Sequence, residues 1–160
     1  MEIPSLDTDD CLDVIVEKYS NMVYRLAFSL LRTKSDADDI YQEVFLRYIR
    51  KNPEFKSEEH RKAWLIRVTI NCSKKFRTSS WIKKTVPLEE SVLFETQEET
   101  NLYYELAKLP KKYRTVIHLF YYEDLSVNQI SELLNIKPAT IRTQLTRARS
   151  KLEKILKGEF

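Results

Sequence analysis

The amino-acid sequence predicts an all-α protein with two small helical domains joined by a flexible acidic linker. The chain has one glycine in 160 residues, so few turns can use the left-handed backbone on which many-stranded β folds rely. Apolar residues recur at three- and four-residue spacing in two blocks, as they do on one face of a helix. Between the blocks this periodicity stops. The predicted boundaries are 6–79 for the first domain, 80–98 for the linker and 99–160 for the second domain.

The charges are unevenly distributed, although the net charge is only +3. Basic residues exceed acidic ones by 7 over residues 56–84 and by 5 over residues 101–160, whereas residues 85–100 carry five acidic residues and no basic one. Two basic blocks separated by an acidic stretch favour two nucleic-acid surfaces. Taken alone, the charges fit ordinary solvated faces equally well.

Composition argues against a membrane protein and against an enzyme. No apolar run approaches the roughly 18 residues of a membrane helix, and the acidic N-terminus lacks a signal pattern. We therefore expect a cytoplasmic protein without membrane insertion. Cys11 and Cys72 lack metal-ligand spacing and are expected to be reduced thiols. His60 and His118 belong to no catalytic or metal-binding pattern, so we expect no catalytic residue, metal or cofactor.

Three helices are predicted in the first domain. The first follows Asp9 and Asp10, and the second opens at Ser35, which forms a capping-box-like pair with Asp38. The third begins near Ser57. Two sets of apolar residues form the predicted buried faces of the second and third helices. They are Ala37, Ile40, Tyr41, Val44, Phe45, Tyr48 and Ile49 in the second helix, and Leu65, Val68, Cys72 and Phe76 in the third.

The second domain carries a predicted helix–turn–helix. Ser126 and Gln129 form a capping box for a short helix, residues 135–137 form a tight turn, and Pro138 suits the first position of a longer basic helix. Such a second helix can enter a major groove, where arginine pairs with guanine edges and threonine meets thymine methyls. A helical hairpin with a solvated basic face is the alternative. The positions predicted to face DNA are Lys137, Thr140, Arg142, Thr143, Thr146, Arg147 and Arg149.

Two further surfaces are predicted in the first domain. Asp39, Gln42 and Glu43 share one face of the second helix, which suggests a docking site for a basic partner, although a plain solvated face is the simpler alternative. Aromatic residues alternate with cations from Phe55 to Trp81, a pattern that suits single-stranded DNA. Trp64 and Phe76 lie at helical spacing and favour the core, whereas Phe55 and Trp81 are better placed for exposure.

Three motifs resemble the extracytoplasmic-function sigma factors of bacterial RNA polymerase. Residues 35–45 (SDADDIYQEVF) and residues 63–71 (AWLIRVTIN) resemble region two of that family, and the stretch from Leu109 to Arg149 resembles region four. The motifs occur in the family's order and cover nearly the whole chain except the linker. The resemblance implies a two-domain, non-enzymatic initiation factor.

The resemblance also implies partners and residue roles. Asp39, Gln42 and Glu43 would dock on the β′ clamp coiled coil of core RNA polymerase, and the second domain would meet the β flap. The loop at 52–57 would capture a flipped base of the −10 promoter element, and the last helix would read the −35 element. The resemblance further implies an anti-sigma protein as a regulator. The residues assigned to the −10 DNA are Phe55, Lys56, Arg61, Lys62, Arg67, Asn71, Lys74 and Lys75.

Departures from the family pattern and one rival function remain. Lys137 stands where many relatives have a capping serine, and Asn71 is followed by Cys72 and Ser73 rather than by a nearby aspartate.

The rival is a stand-alone helix–turn–helix repressor or activator that binds DNA as a dimer. Free sigma factors are expected to bind duplex DNA weakly, whereas a repressor binds its operator alone. An acidic tether of this length allows many relative placements of the domains.

Overall fold

The computed structural model describes residues 12–79, 102 and 104–158. Within those ranges every regular element is helical, which confirms the predicted fold class. The linker predicted at 80–98, Trp81, and the predicted start of the first helix at Asp9 and Asp10 lie outside the described residues.

Three helices form the N-terminal domain: α1 (Leu12–Leu31), α2 (Lys34–Lys51) and α3 (Glu58–Ser79). Each helix contacts the other two, and together they enclose an apolar core. The α1 and α2 core residues are Ile15, Tyr19, Val23, Tyr24, Ala27, Phe28, Ala37, Ile40, Val44, Phe45 and Tyr48, joined by Leu65 and Cys72 of α3. This packing follows the helical periodicity of the sequence, because α2 and α3 turn most of their predicted apolar residues inward.

Local capping residues set the ends of α2 and the start of α3. The prediction that α2 opens at Ser35 is wrong, because Thr33 is the N-cap and its hydroxyl accepts the Asp36 N–H at 3.3 Å. The helix ends at Asn52, which adopts the left-handed conformation and donates its N–H to the Tyr48 carbonyl. The predicted start of α3 is confirmed: the Ser57 hydroxyl accepts the His60 N–H at 3.1 Å.

The C-terminal domain contains α4 (Lys111–Ile117), which continues as a π-helical turn over His118–Tyr122, then α5 (Val127–Leu134) and α6 (Pro138–Leu156). The predicted capping box is present: the Gln129 N–H donates to the Ser126 hydroxyl, and the Ser126 N–H donates to Gln129 Oε1 at 2.8 Å. Pro138 occupies the first turn of α6, and Lys137 makes no side-chain cap. Both features agree with the sequence prediction, as does the tight turn between α5 and α6.

A second apolar cluster joins the two domains. From the N-terminal domain it takes Leu26 and Leu30 of α1 and Ile66 and Ile70 of α3. The C-terminal domain contributes its own core, which comprises Leu106, Leu109, Tyr113, Val116, Ile117, Leu119, Leu125, Ile130, Ile141, Leu145 and Ala148. Helices α1 and α3 therefore each bury two apolar faces, one within their own domain and one against the other domain.

The capping box gives a stability prediction. Ser126→Ala removes the hydroxyl that satisfies an α5 N–H, so we expect the free energy of unfolding to fall by about 1 kcal/mol. Urea unfolding followed by circular dichroism measures this change. Asn128→Ala, at an exposed position in the same helical turn, is the matched control, and an equal loss in both variants would contradict the capping role.

Candidate functional site

The predicted docking stripe lies on the outer side of α2. Asp39 and Gln42 are exposed, and Glu43 is half-buried. Glu43 Oε1 accepts a hydrogen bond from Arg47 Nε at 3.0 Å, and this bond is the main reason why the pKa of Arg47 is raised. The pairing partly neutralises Glu43 and holds its side chain in place. The three residues thus form one accessible, net acidic surface.

Two apolar side chains extend this stripe along α2. Leu46 is 43% exposed and Ile49 is 52% exposed, although Ile49 was predicted to be buried. The 3.6-residue period places Ile49 beside Gln42 and Leu46 on the outer face. Exposed large apolar side chains next to polar ones are common where another protein binds.

Phe55 belongs to an aromatic cluster at the loop before α3. Its ring stacks on Tyr48 with centroids 6.2 Å apart and meets Trp64 edge-on at 5.9 Å. The Arg61 guanidinium lies 5.2 Å from the Phe55 centroid. Phe55 is therefore half-buried rather than freely exposed, and Trp64 is partly buried and packs against the core.

Arg61 is buried, so it cannot reach a phosphate in this conformation. It is 5% exposed and forms an ion pair with Glu58. Glu58 also accepts the Tyr19 hydroxyl at 2.5 Å and Lys18 Nζ at 3.2 Å. The Tyr19 hydrogen bond is the largest reason why the pKa of Glu58 is lowered. In the structure Arg61 therefore lies between Glu58 and the Phe55 ring at the base of the loop, and its contact with DNA stays a prediction.

The other polar residues predicted to contact the −10 DNA differ in their surroundings. Arg67, Asn71, Lys74 and Lys75 are exposed along one side of α3, where spacings of three and four residues bring their side chains together. Lys56 is exposed in the preceding loop. Lys62 differs: its Nζ donates to the Glu123 carbonyl oxygen at 2.6 Å and lies 3.8 Å from Glu123 Oε2.

The recognition helix α6 buries Ile141, Leu145 and Ala148 and exposes the opposite face. Thr143 and Thr146 donate their hydroxyls to carbonyls one turn earlier, at 3.1 and 3.0 Å. The exposed residues at its start and along this outward face are Lys137, Thr140, Arg142, Thr143, Thr146 and Arg147.

Arg149 departs from this group. Its Nε donates to the Tyr121 hydroxyl at 2.6 Å, and its guanidinium lies 5.5 Å from the ring centroids of both Phe120 and Tyr121. These contacts hold Arg149 on the flank of α6, towards the π-helical turn, which sequence periodicity does not reveal.

These surfaces belong to a two-domain helical protein with an accessible acidic stripe on α2 and an outward-facing basic helix α6. Among the described residues there is no cluster of metal-ligating side chains. No helix in the same ranges is long and apolar enough to cross a membrane.

Family models match both domains in the expected order. The model of sigma-70 region 2 matches residues 15–82, and that of sigma-70 region 4 matches residues 100–152. The chain is 30% identical over 131 residues to the RNA polymerase sigma factor SigV of Bacillus subtilis, with 78% of each chain covered. It is 29% identical over 168 residues to the ECF RNA polymerase sigma factor SigW of the same organism, which covers 92% of this chain and 90% of SigW. The chain belongs to the extracytoplasmic-function group of RNA polymerase sigma factors.

Solved structures share the fold. One match is the sigma factor RpoE of Bartonella quintana, solved in complex with the anti-sigma factor NepR, with a TM-score of 0.73 and 18% identity over 91% of this chain and 96% of that one. Another is CnrH in complex with the cytosolic domain of CnrY, with a TM-score of 0.66 and 21% identity over 93% of this chain and 89% of that one.

The Glu58 cluster gives a pH prediction. Because the folded state lowers the pKa of Glu58, its contribution is present above the unfolded pKa and is lost as the pH falls through the folded one. Glu58→Gln should therefore lower stability at pH 7 by about 1 kcal/mol or less, since the side chain is partly exposed.

Urea unfolding at pH 7 and pH 3 checks this expectation. The difference between Glu58→Gln and the unsubstituted chain should shrink at pH 3, whereas Glu59→Gln should have little effect at either pH. A difference that stays constant with pH would contradict the ionised role of Glu58.

Proposed function

We propose that this chain binds core RNA polymerase through α2 and directs initiation at promoters whose −10 and −35 elements it contacts. The observation that carries the proposal is the combination, within one chain of the family, of an accessible acidic stripe on α2 and an outward-facing basic helix α6. In this proposal the protein acts in the cytoplasm and catalyses no reaction itself. RNA synthesis is performed by the polymerase.

The α2 stripe would dock on the β′ clamp coiled coil. Asp39, Gln42 and Glu43 supply charge and hydrogen-bonding groups that suit a basic partner. Leu46 and Ile49 lie beside them and would add apolar contact at the same interface. The mixed character of the stripe, acidic at one end and apolar at the other, argues for a protein partner rather than for a plain solvated face.

The N-terminal domain would bind the melted −10 strand. Arg67, Lys74 and Lys75 would follow the phosphates, while Asn71 on the same side of α3 can hydrogen-bond to a base. Lys56 would assist from the loop. Phe55 would stack on a base only if it leaves its contacts with Tyr48 and Trp64, so we assign it a role in shaping the loop.

The C-terminal domain would read the −35 duplex through α6. Arg142 and Arg147 are the best candidates for bidentate contacts with guanine. Thr140, Thr143 and Thr146 would supply methyl or phosphate contacts, and Lys137 would meet a phosphate near the N-terminus of α6. Arg149 is assigned a supporting role because Tyr121 holds it on the flank.

Two protein partners complete the proposal. The C-terminal domain would contact the β flap of the polymerase, and an anti-sigma protein would hold the chain inactive. The second partner is suggested by RpoE and CnrH, whose structures were solved with NepR and CnrY.

In vitro transcription tests the docking face. Purified core polymerase, this protein and fragmented genomic DNA should give discrete new transcripts. We expect Glu43→Arg to reduce them by at least tenfold, because it reverses the charge on the stripe and removes the partner of Arg47. Gln42→Ala should lower the yield of these transcripts without altering the fold.

Glu17→Arg is the matched control, since it makes the same charge change at an exposed position of α1. Thermal melting shows that each variant is folded. Equal activity of Glu43→Arg and Glu17→Arg would overturn the docking assignment, and the absence of any new start site with the unsubstituted chain would overturn the proposed function.

Promoter variants test the −35 assignment. Arg142→Ala or Arg147→Ala should reduce transcription about tenfold or more, because one bidentate base contact is worth about 1–3 kcal/mol. A change at the contacted base pair should have little further effect in the matching variant. Lys154→Ala, exposed near the end of the same helix, should behave like the unsubstituted chain. If Arg142→Ala or Arg147→Ala lowered transcription equally from all promoter variants, that residue would contact a phosphate rather than a base.

A further inference from the structure

A chain of polar contacts runs from α1 to the loop that precedes α3. It begins at the Tyr19 hydroxyl, which donates to one carboxylate oxygen of Glu58 at 2.5 Å. The other Glu58 oxygen accepts a hydrogen bond from Arg61, one helical turn later. The Arg61 guanidinium in turn lies 5.2 Å from the centroid of the Phe55 ring. Glu58 and Arg61 thus connect α1 to Phe55 in the loop.

Burial holds this chain of contacts in one arrangement. Tyr19 and Arg61 are both buried. A buried guanidinium requires a counter-charge and hydrogen-bond acceptors, and Glu58 supplies both. Glu58 is held in its ionised form, because the Tyr19 hydrogen bond is the largest cause that lowers its pKa. If the Glu58 charge were removed, Arg61 would gain by moving out towards water.

Phe55 passes this constraint on to the loop at 52–57. Besides Arg61, its ring meets the His60 ring edge-on at 5.3 Å and the Trp64 ring edge-on at 5.9 Å. His60 Nδ1 also accepts the Lys56 N–H at 3.4 Å. The loop is therefore arranged around the Phe55 ring, and the position of that ring depends on the guanidinium packed against it.

We propose that Tyr19 and Glu58 are positioning residues for recognition of the −10 element. They hold Arg61 against Phe55, so the loop at 52–57 keeps one shape before DNA arrives. A base of the melted strand then meets a preformed loop, and the energy of a fitting base is not used to order the loop. Neither positioning residue needs to touch DNA. This inference rests on the proposed function, in which the N-terminal domain binds the melted −10 strand.

Loss of the Glu58 charge should have two consequences of opposite sign. Glu58→Gln removes a negative charge near the DNA-binding side and releases the Arg61 cation, so binding to any strand should strengthen slightly. The loop also loses its fixed shape, so the preference for the favoured −10 base should fall. A role confined to stability would instead lower transcription equally from all sequences.

Transcription from a promoter library tests the inference. Core polymerase with this protein transcribes promoters whose −10 element is randomised, and sequencing of the transcripts gives the base preference at each position. We expect Glu58→Gln to reduce the preference at one or two adjacent positions by about fivefold or more, the lower end of what stacking of one base contributes. Tyr19→Phe, which removes only the hydroxyl, should act in the same direction by a smaller factor.

Glu59→Gln is the matched control, because it removes the same charge at the neighbouring exposed position of α3. It should leave the base preference unchanged. Arg61→Met removes the group through which Glu58 acts. In an Arg61→Met chain, Glu58→Gln should therefore add little to the loss of preference.

Trp64 fluorescence reports the loop without polymerase or DNA. The chain has two tryptophans, so Trp81→Phe leaves Trp64 as the sole one, with its ring against Phe55. Acrylamide quenching of this fluorescence should increase in Glu58→Gln and stay unchanged in Glu59→Gln. Thermal melting shows that each variant is folded.

Three results would overturn the inference. They are an unchanged base preference in Glu58→Gln, an equal loss of preference in Glu59→Gln, and a Glu58→Gln effect of full size in the Arg61→Met chain. If the unsubstituted protein transcribed no member of the library, the proposed function would fail and the role in −10 recognition with it. The quenching of Trp64 would still report whether Glu58 holds the loop.

Discussion

The structure depends on two helices that each bury two apolar faces. In α1, Val23 and Ala27 pack inside the N-terminal domain while Leu26 and Leu30 pack against the C-terminal domain. In α3, Leu65 packs inside the N-terminal domain and Ile66 packs against the C-terminal domain. Because burying an aliphatic side chain contributes roughly 1.5–3 kcal/mol, an exposed second face would be costly. The packing of the two domains on each other follows from this constraint, and two polar contacts, Arg114 with the Ser29 carbonyl and Lys62 with the Glu123 carbonyl, give it a defined orientation.

Local signals allowed much of the fold to be predicted. These signals act on residues that are close in sequence. Examples are the Ser126–Gln129 capping box, Pro138 at the start of α6, and the periodic apolar residues of α1 and α2. The start of α2 was missed because Thr33 and Ser35 can both cap a helix, and the choice depends on which hydroxyl meets a free N–H. Ile66 and Ile70 were missed because a search for one apolar stripe omits residues that serve a second partner.

Charges were harder to assign than helices. Sequence identifies Lys62 and Arg149 as cations on basic helices, but it does not show that Glu123 and Tyr121 lie near them. Those partners are 61 and 28 residues away along the chain, whereas Glu58 lies one helical turn before Arg61. Packing between distant segments thus gives Lys62 and Arg149 contacts within the protein, and their contacts with DNA stay predictions. Asp39, Gln42 and Glu43 behaved more simply, since helical geometry alone puts them on one face.

One distance measurement tests the account most directly. Spin labels at Glu59→Cys on α3 and Lys154→Cys on α6, in a Cys11→Ser chain whose Cys72 is buried, report the separation of the domains. We expect one narrow distribution of distances in the free protein, because apolar residues of α1 and α3 pack against the C-terminal domain. A broad distribution of distances would contradict the packing of the two domains against each other.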